Sequence, residues 1–182
     1  MKFFTWVFET GIDTGLISKV EKIAEDKGLI AGELEKGVVD PSYRMSEVCF
    51  IEDEELRNML WKYILRANSA CFGFDIIKDF EMQFTKYNSK DKGFYNWHTD
   101  NNFLSDSFFT RKLSVVIQLS DPSEYEGGVL ELEIDNKVQT FDGFKQAGSI
   151  IVFPSFIKHR VTPVTKGVRK SLVAWVNGPN FR

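Results

Sequence analysis

The amino-acid sequence predicts a mainly β protein with N-terminal helices, built as a double-stranded β-helix (jelly roll) of about eight antiparallel strands. Three observations predict it. The apolar periodicity is helical in the first part of the chain and changes to short alternating segments near residue 75. These segments follow one another closely with no helical pattern between them, which argues against parallel β-α-β units and for antiparallel sheets. Finally, 182 residues with 43% apolar and 27% charged side chains suffice for one domain with a full core, and exclude disordered, collagen-like and coiled-coil classes. A single domain over 1–182 is expected, with a helical support in 1–79 and a jelly-roll core in 80–177.

Each element follows from local chemistry. Met1-Lys2-Phe3-Phe4-Thr5-Trp6 carries neither the apolar stretch nor the small-residue cleavage site of a secretory leader. Asp13 or Thr14 caps a first helix, whose apolar positions Leu16, Val20, Ile23 and Ala24 recur at helical spacing until Gly28 ends it. Gly28 to Tyr43 reads as loop, punctuated by Gly28, Gly32, Gly37 and Pro41. In the second helix Asp53 caps, and Glu54 and Glu55 complement the positive N-terminus. Its stripe of Leu56, Met59, Leu60, Tyr63, Ile64 and Ala67 reads as core packing. The candidate strands are Phe80–Phe84, Phe94–His98, Leu113–Leu119, Leu130–Ile134, Lys137–Phe141, Ser149–Phe153, His159–Val164 and Val168–Val176. Asp121-Pro122-Ser123, Gly127-Gly128, Asp135-Asn136, Asp142-Gly143 and Lys166-Gly167 are turn signals among them.

Charge and composition exclude several functions. Against 26 acidic residues stand 23 basic ones, a net charge of −3, with no Lys/Arg block to make the basic face that duplex nucleic acid requires. No apolar run reaches 18 residues, so no membrane partner is expected. The only cysteines, Cys49 and Cys71, sit in apolar settings and read as buried thiols rather than a disulfide, which suits a reducing, cytoplasmic compartment.

The chain has two histidines. In His98-Thr99-Asp100, at the end of a candidate strand, alternation directs residues 98 and 100 to one face, so an imidazole and a carboxylate can reach one ion. Alone the pair says little: 12 of 182 residues are Asp, so a His-x-Asp arises by chance for about one His in fifteen. His159, 59 residues after Asp100, follows an apolar strand that ends in Pro154-Ser155. Two His and one carboxylate on a β-scaffold are the facial triad of non-haem Fe(II) oxygenases, which leaves coordination positions open. Ten residues beyond His159, Arg169 opens a strand between apolar neighbours. A guanidinium aimed into a jelly roll is costly unless it holds an anion, and its fork fits a carboxylate; the other reading is a strand-edge surface charge.

These residues also carry a family resemblance. They are Tyr87, His98-Thr99-Asp100, Arg111-Lys112-Leu113-Ser114, Tyr125-Glu126-Gly127-Gly128, Gly148 through Ser155, His159-Arg160-Val161-Thr162-Pro163-Val164 and Gly167-Val168-Arg169-Lys170-Ser171. In order and spacing, over roughly residues 80–177, they resemble the catalytic domain of Fe(II)/2-oxoglutarate-dependent dioxygenases, specifically the prolyl-4-hydroxylase-like group with the bacterial PKHD-type hydroxylases. Trp6-Val7-Phe8 and the segment from Arg44 to Ala67 resemble compact bacteriophage-encoded relatives, which implies expression in a bacterial host.

The resemblance implies that His98, Asp100 and His159 ligate iron and that Arg169 holds the C5 carboxylate of 2-oxoglutarate, the four together forming the catalytic set. It implies cosubstrate contacts from Tyr87, whose offset from His98 is one residue longer than in some relatives, and from Ser171 in the Arg-x-Ser element. Gln118 stands where certain prolyl hydroxylases carry a second tyrosine facing that carboxylate; an amide could still donate to it. Tyr95 and Trp175 fall near the iron and are the substrate-pocket candidates. The implied cofactor is Fe(II), with 2-oxoglutarate and O₂ as cosubstrates and ascorbate as an optional addition. The implied activity is hydroxylation of an unactivated C–H bond, with a prolyl residue of a peptide or protein as the family-level substrate.

A free amino acid or other small molecule is an alternative substrate. A non-enzymatic jelly-roll binding or virion-associated domain with a vestigial metal site is an alternative function. Asp100 argues against a halogenase of this superfamily, which lacks the carboxylate ligand, and Trp175 stands where a nucleic-acid demethylase carries a second arginine. Trp97, Phe153 and Phe156 read as core, Asn101–Thr110 as a lid or a surface loop, and Gly127-Gly128 as a tight turn. Both histidines must be neutral to ligate, so activity is expected to fall at acid pH.

Overall fold

The computed structural model describes residues 4–34, 37–101 and 108–180. Strand β1 (Trp6–Phe8) precedes helix α1 (Thr14–Lys27). The Asp13 side chain caps α1 by accepting from the Leu16 N–H at 2.9 Å, and Gly28, at φ 79°, turns its own N–H back onto the Ala24 and Glu25 carbonyls. Strands β2 (Ile30–Ala31), β3 (Arg44–Met45) and β4 (Glu47–Phe50) lead to α2 (Glu54–Ala67). Asp53 caps α2 through the Leu56 N–H at 2.8 Å, and one wider π-helical turn, Asn68–Phe72, extends it. Nine strands follow. The first five are β5 (Phe80–Asn88), β6 (Phe94–His98), β7 (Phe109–Gln118), β8 (Tyr125–Gly127) and β9 (Leu130–Ile134). The last four are β10 (Lys137–Gln139), β11 (Ile150–Pro154), β12 (His159–Val161) and β13 (Val164–Pro179).

Among the described residues every strand pairing is antiparallel, and the strands form two sheets. The larger runs β1-β11-β7-β13-β5-β4-β2, with β8 paired to the start of β13; the smaller runs β10-β9-β12-β6-β3. Helices cover one face of the larger sheet and the smaller sheet covers the other, so the pleat divides each central strand between two cores. Phe80, Met82 and Phe84 of β5, Leu113, Val115 and Ile117 of β7, and Leu172, Ala174 and Val176 of β13 pack with Val20, Leu56, Leu60 and Ile64 of the helices. The intervening positions face the smaller sheet, where Val116, Ile151 and Phe153 meet Leu132, Val161 and Val164.

At one end of this second layer the intervening residues turn polar. Gln83, Thr85 and Tyr87 of β5, Ser114 and Gln118 of β7, and Arg169 and Ser171 of β13 are all buried. Buried polar groups are tolerated where they find partners or receive a ligand, which directs attention to this end of the layer.

The predicted jelly roll and both helices are present, and each of the eight candidate strands has its counterpart. The sequence pattern does not reveal β1, β2, β3, β4 and β8, which at two to four residues are too short to show a period of two. Through them the segment 1–79 supplies strands to both sheets besides its helices: β1, β2 and β4 to the larger, β3 to the smaller. Cys49 and Cys71 form no disulfide and are buried. Among the described residues no helix is long and apolar enough to cross a membrane.

Leu60 is fully buried between α2 and the larger sheet. Leu60→Ala is expected to lower the unfolding free energy by about 2–5 kcal/mol, and Asp53→Ala, through loss of the cap, by about 1 kcal/mol, both measured by urea denaturation.

Candidate functional site

His98 closes β6 and His159 opens β12; these strands are neighbours, the two residues are Cα partners, and their ring centroids lie 4.2 Å apart. Each imidazole is held by its own strand, with His98 Nδ1 2.7 Å from the Asn96 carbonyl and His159 Nδ1 2.9 Å from that of Ile157. A carbonyl only accepts, so Nδ1 carries the proton and, in the neutral ring, Nε2 presents its lone pair. Beyond β6, the N–H groups of Asp100 and Asn101 both donate to the Ser155 carbonyl, at 2.9 and 3.1 Å. This turn brings the Asp100 carboxylate to 3.6 Å from His98 Nε2 through Oδ1 and to 3.4 Å from His159 Nε2 through Oδ2. Ser114 Oγ donates to Oδ2 at 2.7 Å and lies 3.0 Å from Ser155 Oγ, which orients the carboxylate. The three ligand atoms stand within 4.8 Å of one another. Cis ligands at about 2.1 Å from a metal are about 3 Å apart, so small side-chain movements would close this set on one ion. Two imidazole nitrogens and one carboxylate oxygen are a donor set that fits Fe(II).

Burial and mutual charge set the protonation states. Burial pushes the Asp100 carboxyl upward, but the facing imidazoles and the Ser114 hydroxyl outweigh it and hold the group below its ordinary range. His98 is pushed down to about 3, by burial first and then by neighbouring His159. At His159 burial also acts downward, yet the Asp100 carboxylate prevails and the pKa is raised. A proton therefore competes with a metal ion chiefly at His159.

The pocket beside this cluster extends to Arg169, which stands opposite Tyr87 in the β13–β5 register and is 2% exposed. The guanidinium carbon lies 5.7 Å from the centre of the Tyr87 ring, and among the described residues no carboxylate or carbonyl accepts from it. Burying a cation without a counter-charge is costly, so this end of the pocket favours an anionic ligand. The stem of Arg169 runs against Gly128, where a Cβ would stand 2.9 Å from the arginine Cδ. The glycine turn thus also makes room for the arginine.

Comparison with known proteins agrees with this geometry. The sequence model of the 2OG-Fe(II) oxygenase superfamily matches residues 82–177, more than half of the chain. The chain belongs to this superfamily. A PKHD-type hydroxylase of Thermosynechococcus vestitus is 45% identical over 84 residues, 45% of this chain and 37% of the relative. The chain spans about half, or less, of the length of the curated relatives it matches. In three dimensions it is similar to a prolyl-4-hydroxylase of Pseudomonas putida, with a TM-score of 0.75 at 19% identity, covering 97% of this chain and 93% of that one. It is also similar to a prolyl hydroxylase from Trichoplax adhaerens solved with a hypoxia-inducible-factor peptide fragment, with a TM-score of 0.76 at 19% identity, covering 95% of this chain and 83% of that one. The superfamily's jelly roll is the fold described above.

Within this superfamily fold, Tyr87, Ser171, Tyr95 and Trp175 line the same pocket as the histidines and Arg169. Burial pushes the Tyr87 hydroxyl up and that of Tyr95 up to about 12, so both stay neutral. Tyr95 stacks on His98 at 3.5 Å between centroids, and Trp175, under the Arg111 guanidinium, keeps a buried Nε1–H without a partner. Gln118 is placed differently. It lines an adjoining cavity that shares Arg169, and its Nε2 donates to the Ser120 carbonyl at 3.1 Å and to Tyr125 Oη at 3.0 Å. Phe153 is fully buried against His159, Phe156 packs on Phe74, and the cations of Lys158 and Arg160 lie 5.5 and 4.7 Å from the centre of the Trp97 ring. Of the candidate lid, residues 102–107 lie outside the described residues.

Sequence reasoning missed Arg44, Gln83 and Thr85, which also line the pocket. Arg44 donates to Ser46 Oγ, the Glu33 carbonyl and Gln83 Oε1, and lies 4.6 Å over Tyr95. Polar residues at every second place of an apolar strand, Gln83-x-Thr85-x-Tyr87, were a usable signal; Arg44, in a two-residue strand, had none.

The protein is expected to take up one Mn(II) in calorimetry, and His98→Ala or His159→Ala to abolish stoichiometric uptake while circular dichroism shows the fold intact. Because proton and metal share Nε2 of His159, whose pKa lies above 6.5, Mn(II) affinity should fall as pH is lowered through that raised value. An affinity flat with pH would count against this ligand set.

Proposed function

We propose that this chain is an Fe(II)- and 2-oxoglutarate-dependent dioxygenase that hydroxylates an unactivated C–H bond, with a prolyl residue of a peptide or protein as its substrate. One observation carries the reading: an N,N,O donor set from His98, Asp100 and His159 shares a pocket with the buried Arg169 cation, which has no protein acceptor among the described residues. A ligand that satisfies both ends chelates a metal at one and carries a negative charge at the other, as 2-oxoglutarate does.

In this reading Fe(II), with 2-oxoglutarate and O₂, supplies the oxidising chemistry, in which loss of CO₂ to give succinate is coupled to hydroxylation of the substrate. The chain's own residues bind and orient. His98 and His159 offer Nε2 lone pairs because their Nδ1 protons are committed to backbone carbonyls. Asp100 supplies the one anionic ligand, and Ser114 holds its Oδ2. The Arg169 fork takes the distal carboxylate, and the Tyr87 and Ser171 hydroxyls stand beside it as neutral donors. Tyr95 and Trp175 wall the substrate side, and Val116, Leu130, Val161 and Val173 keep the pocket apolar between these groups.

The names of the bacterial relatives, PKHD-type hydroxylases, support the reaction class, and the peptide held by the Trichoplax adhaerens enzyme supports a peptide or protein substrate. Asp100 supports hydroxylation over halogenation. The two buried cysteines, which form no disulfide, support a cytoplasmic site of action.

With Fe(II) and 2-oxoglutarate the protein should release succinate, and a proline-containing peptide library should yield products heavier by one oxygen atom. No succinate under any condition would leave a binding domain. Asp100→Ala should eliminate turnover, and full activity in that variant would reject the carboxylate ligand. Arg169→Ala should weaken 2-oxoglutarate binding to the Mn(II)-loaded protein by about 2–5 kcal/mol, and Arg169→Lys should recover only part of that, because an ammonium cannot reproduce the fork. Equal affinities for the three proteins in calorimetry would remove Arg169 from the site.

A further inference from the structure

The adjoining cavity behind Arg169 is lined by Gln118, Tyr125, Thr140, Lys145 and Arg169 among its polar residues, with no carboxylate among the residues that line it. Gln118 is 1% exposed and its orientation is determined by its partners. The Ser120 carbonyl can only accept, so the group 3.1 Å from it is the amide nitrogen. That nitrogen has two hydrogens: one goes to Ser120 and the other to Tyr125 Oη, at 3.0 Å. Gln118 has no N–H left for a ligand. Tyr125, which receives from Gln118, retains its own hydroxyl proton, and among the described residues no acceptor takes it.

The backbone holds this phenol beside Arg169. Tyr125 opens β8 and pairs with Gly167, two residues before the arginine on β13, while Gln118 pairs with Ser171, two residues after it. Between them Ser120 Oγ donates to the Val168 carbonyl at 3.2 Å and accepts from the Lys170 N–H at 2.8 Å, which ties the end of β7 to both sides of Arg169. Asp121 then closes the turn into β8 by accepting from the Ser123 N–H and hydroxyl at 2.9 and 2.6 Å. Tyr125 and Arg169 line one cavity, and a hydroxyl proton and a guanidinium that both lack an acceptor among the described residues complement a carboxylate, which offers two oxygens and only accepts.

We propose that Tyr125 is a second donor to the distal carboxylate of the cosubstrate, and that Gln118 is a positioning residue that acts through Tyr125 rather than on the ligand. The proposal rests on the 2-oxoglutarate reading of the pocket and adds to it a residue from outside the iron-side cavity.

The test is calorimetry on the Mn(II)-loaded full chain with two ligands, 2-oxoglutarate and 2-oxopentanoate, in which a methyl group replaces the distal carboxylate. Tyr125→Phe should weaken 2-oxoglutarate binding about tenfold, the scale of one hydrogen bond to a charged group, and leave the affinities for Mn(II) and 2-oxopentanoate unchanged. Gln118→Leu should give a smaller loss that disappears in the Tyr125→Phe background, as expected if the amide acts through the phenol. Unchanged 2-oxoglutarate affinity in Tyr125→Phe overturns the proposal, and so does an equal loss for both ligands, which would make the phenol a matter of shape. Wild-type protein that takes up no 2-oxoglutarate at all would instead remove the dioxygenase reading, and this one with it.

Discussion

A sheet covered by helices on one face and by a second sheet on the other has no solvated side, and the larger sheet here is in that position. Along the middle of β5, β7 and β13, residues must then suit one buried layer or the other, and the pleat decides which. Odd positions of β7 such as Leu113, Val115 and Ile117 are surrendered to the helices, while Ser114, Val116 and Gln118 face the smaller sheet. The same parity carries Tyr87, Arg169 and Ser171 toward one pocket. Polar side chains in a dry layer are expensive, and the layer tolerates them only as a group that satisfies itself or waits for a ligand. Both solutions occur. Each nitrogen of Arg44 has an acceptor, in Ser46, Glu33 and Gln83, whereas Arg169, in the same pocket lining, has none among the described residues. Two guanidiniums in one pocket are thereby divided into a structural cation and a receptive one.

The metal cluster follows the same logic on the smaller sheet. Register pairs His98 with His159, and each ring is locked by a carbonyl on its own strand, so the coordinating nitrogens are selected by backbone geometry before any ion arrives. The negative charge of Asp100 is stabilised by the imidazoles and Ser114 against the cost of burial. An ion is thus met by groups already in place, which is what rigid strands contribute to catalysis.

The sequence made some of this legible and concealed the rest for physical reasons. α2 could be read from Asp53 and its apolar stripe because a helix of fourteen residues repeats its pattern several times. The donor set was legible because the chain contains only two histidines, one of them two residues from an aspartate. Arg169 stood out as a charge within an apolar strand. β3 has two residues and no period, so Arg44 gave no hint of facing the pocket. Gln118 reads from the sequence as a donor toward the cosubstrate carboxylate, whereas its amide hydrogens go to Ser120 and Tyr125, a detail decided by how the turn between β7 and β8 folds back. Hydrogen-bond saturation is a property of neighbours in space, and a linear pattern does not encode it.

The carbonyl of Ser155 accepts from both Asp100 and Asn101, and the Ser155 hydroxyl meets Ser114, the residue that grips the carboxylate. Ser155 itself follows β11, which lies between β1 and β7 in the larger sheet. Asp100, a ligand carried on the smaller sheet's side, is thereby tied to the larger sheet. A shift of β11 against the smaller sheet would therefore carry the backbone and the carboxylate of Asp100 together, because the Ser155 carbonyl holds the one and its hydroxyl, through Ser114, reaches the other.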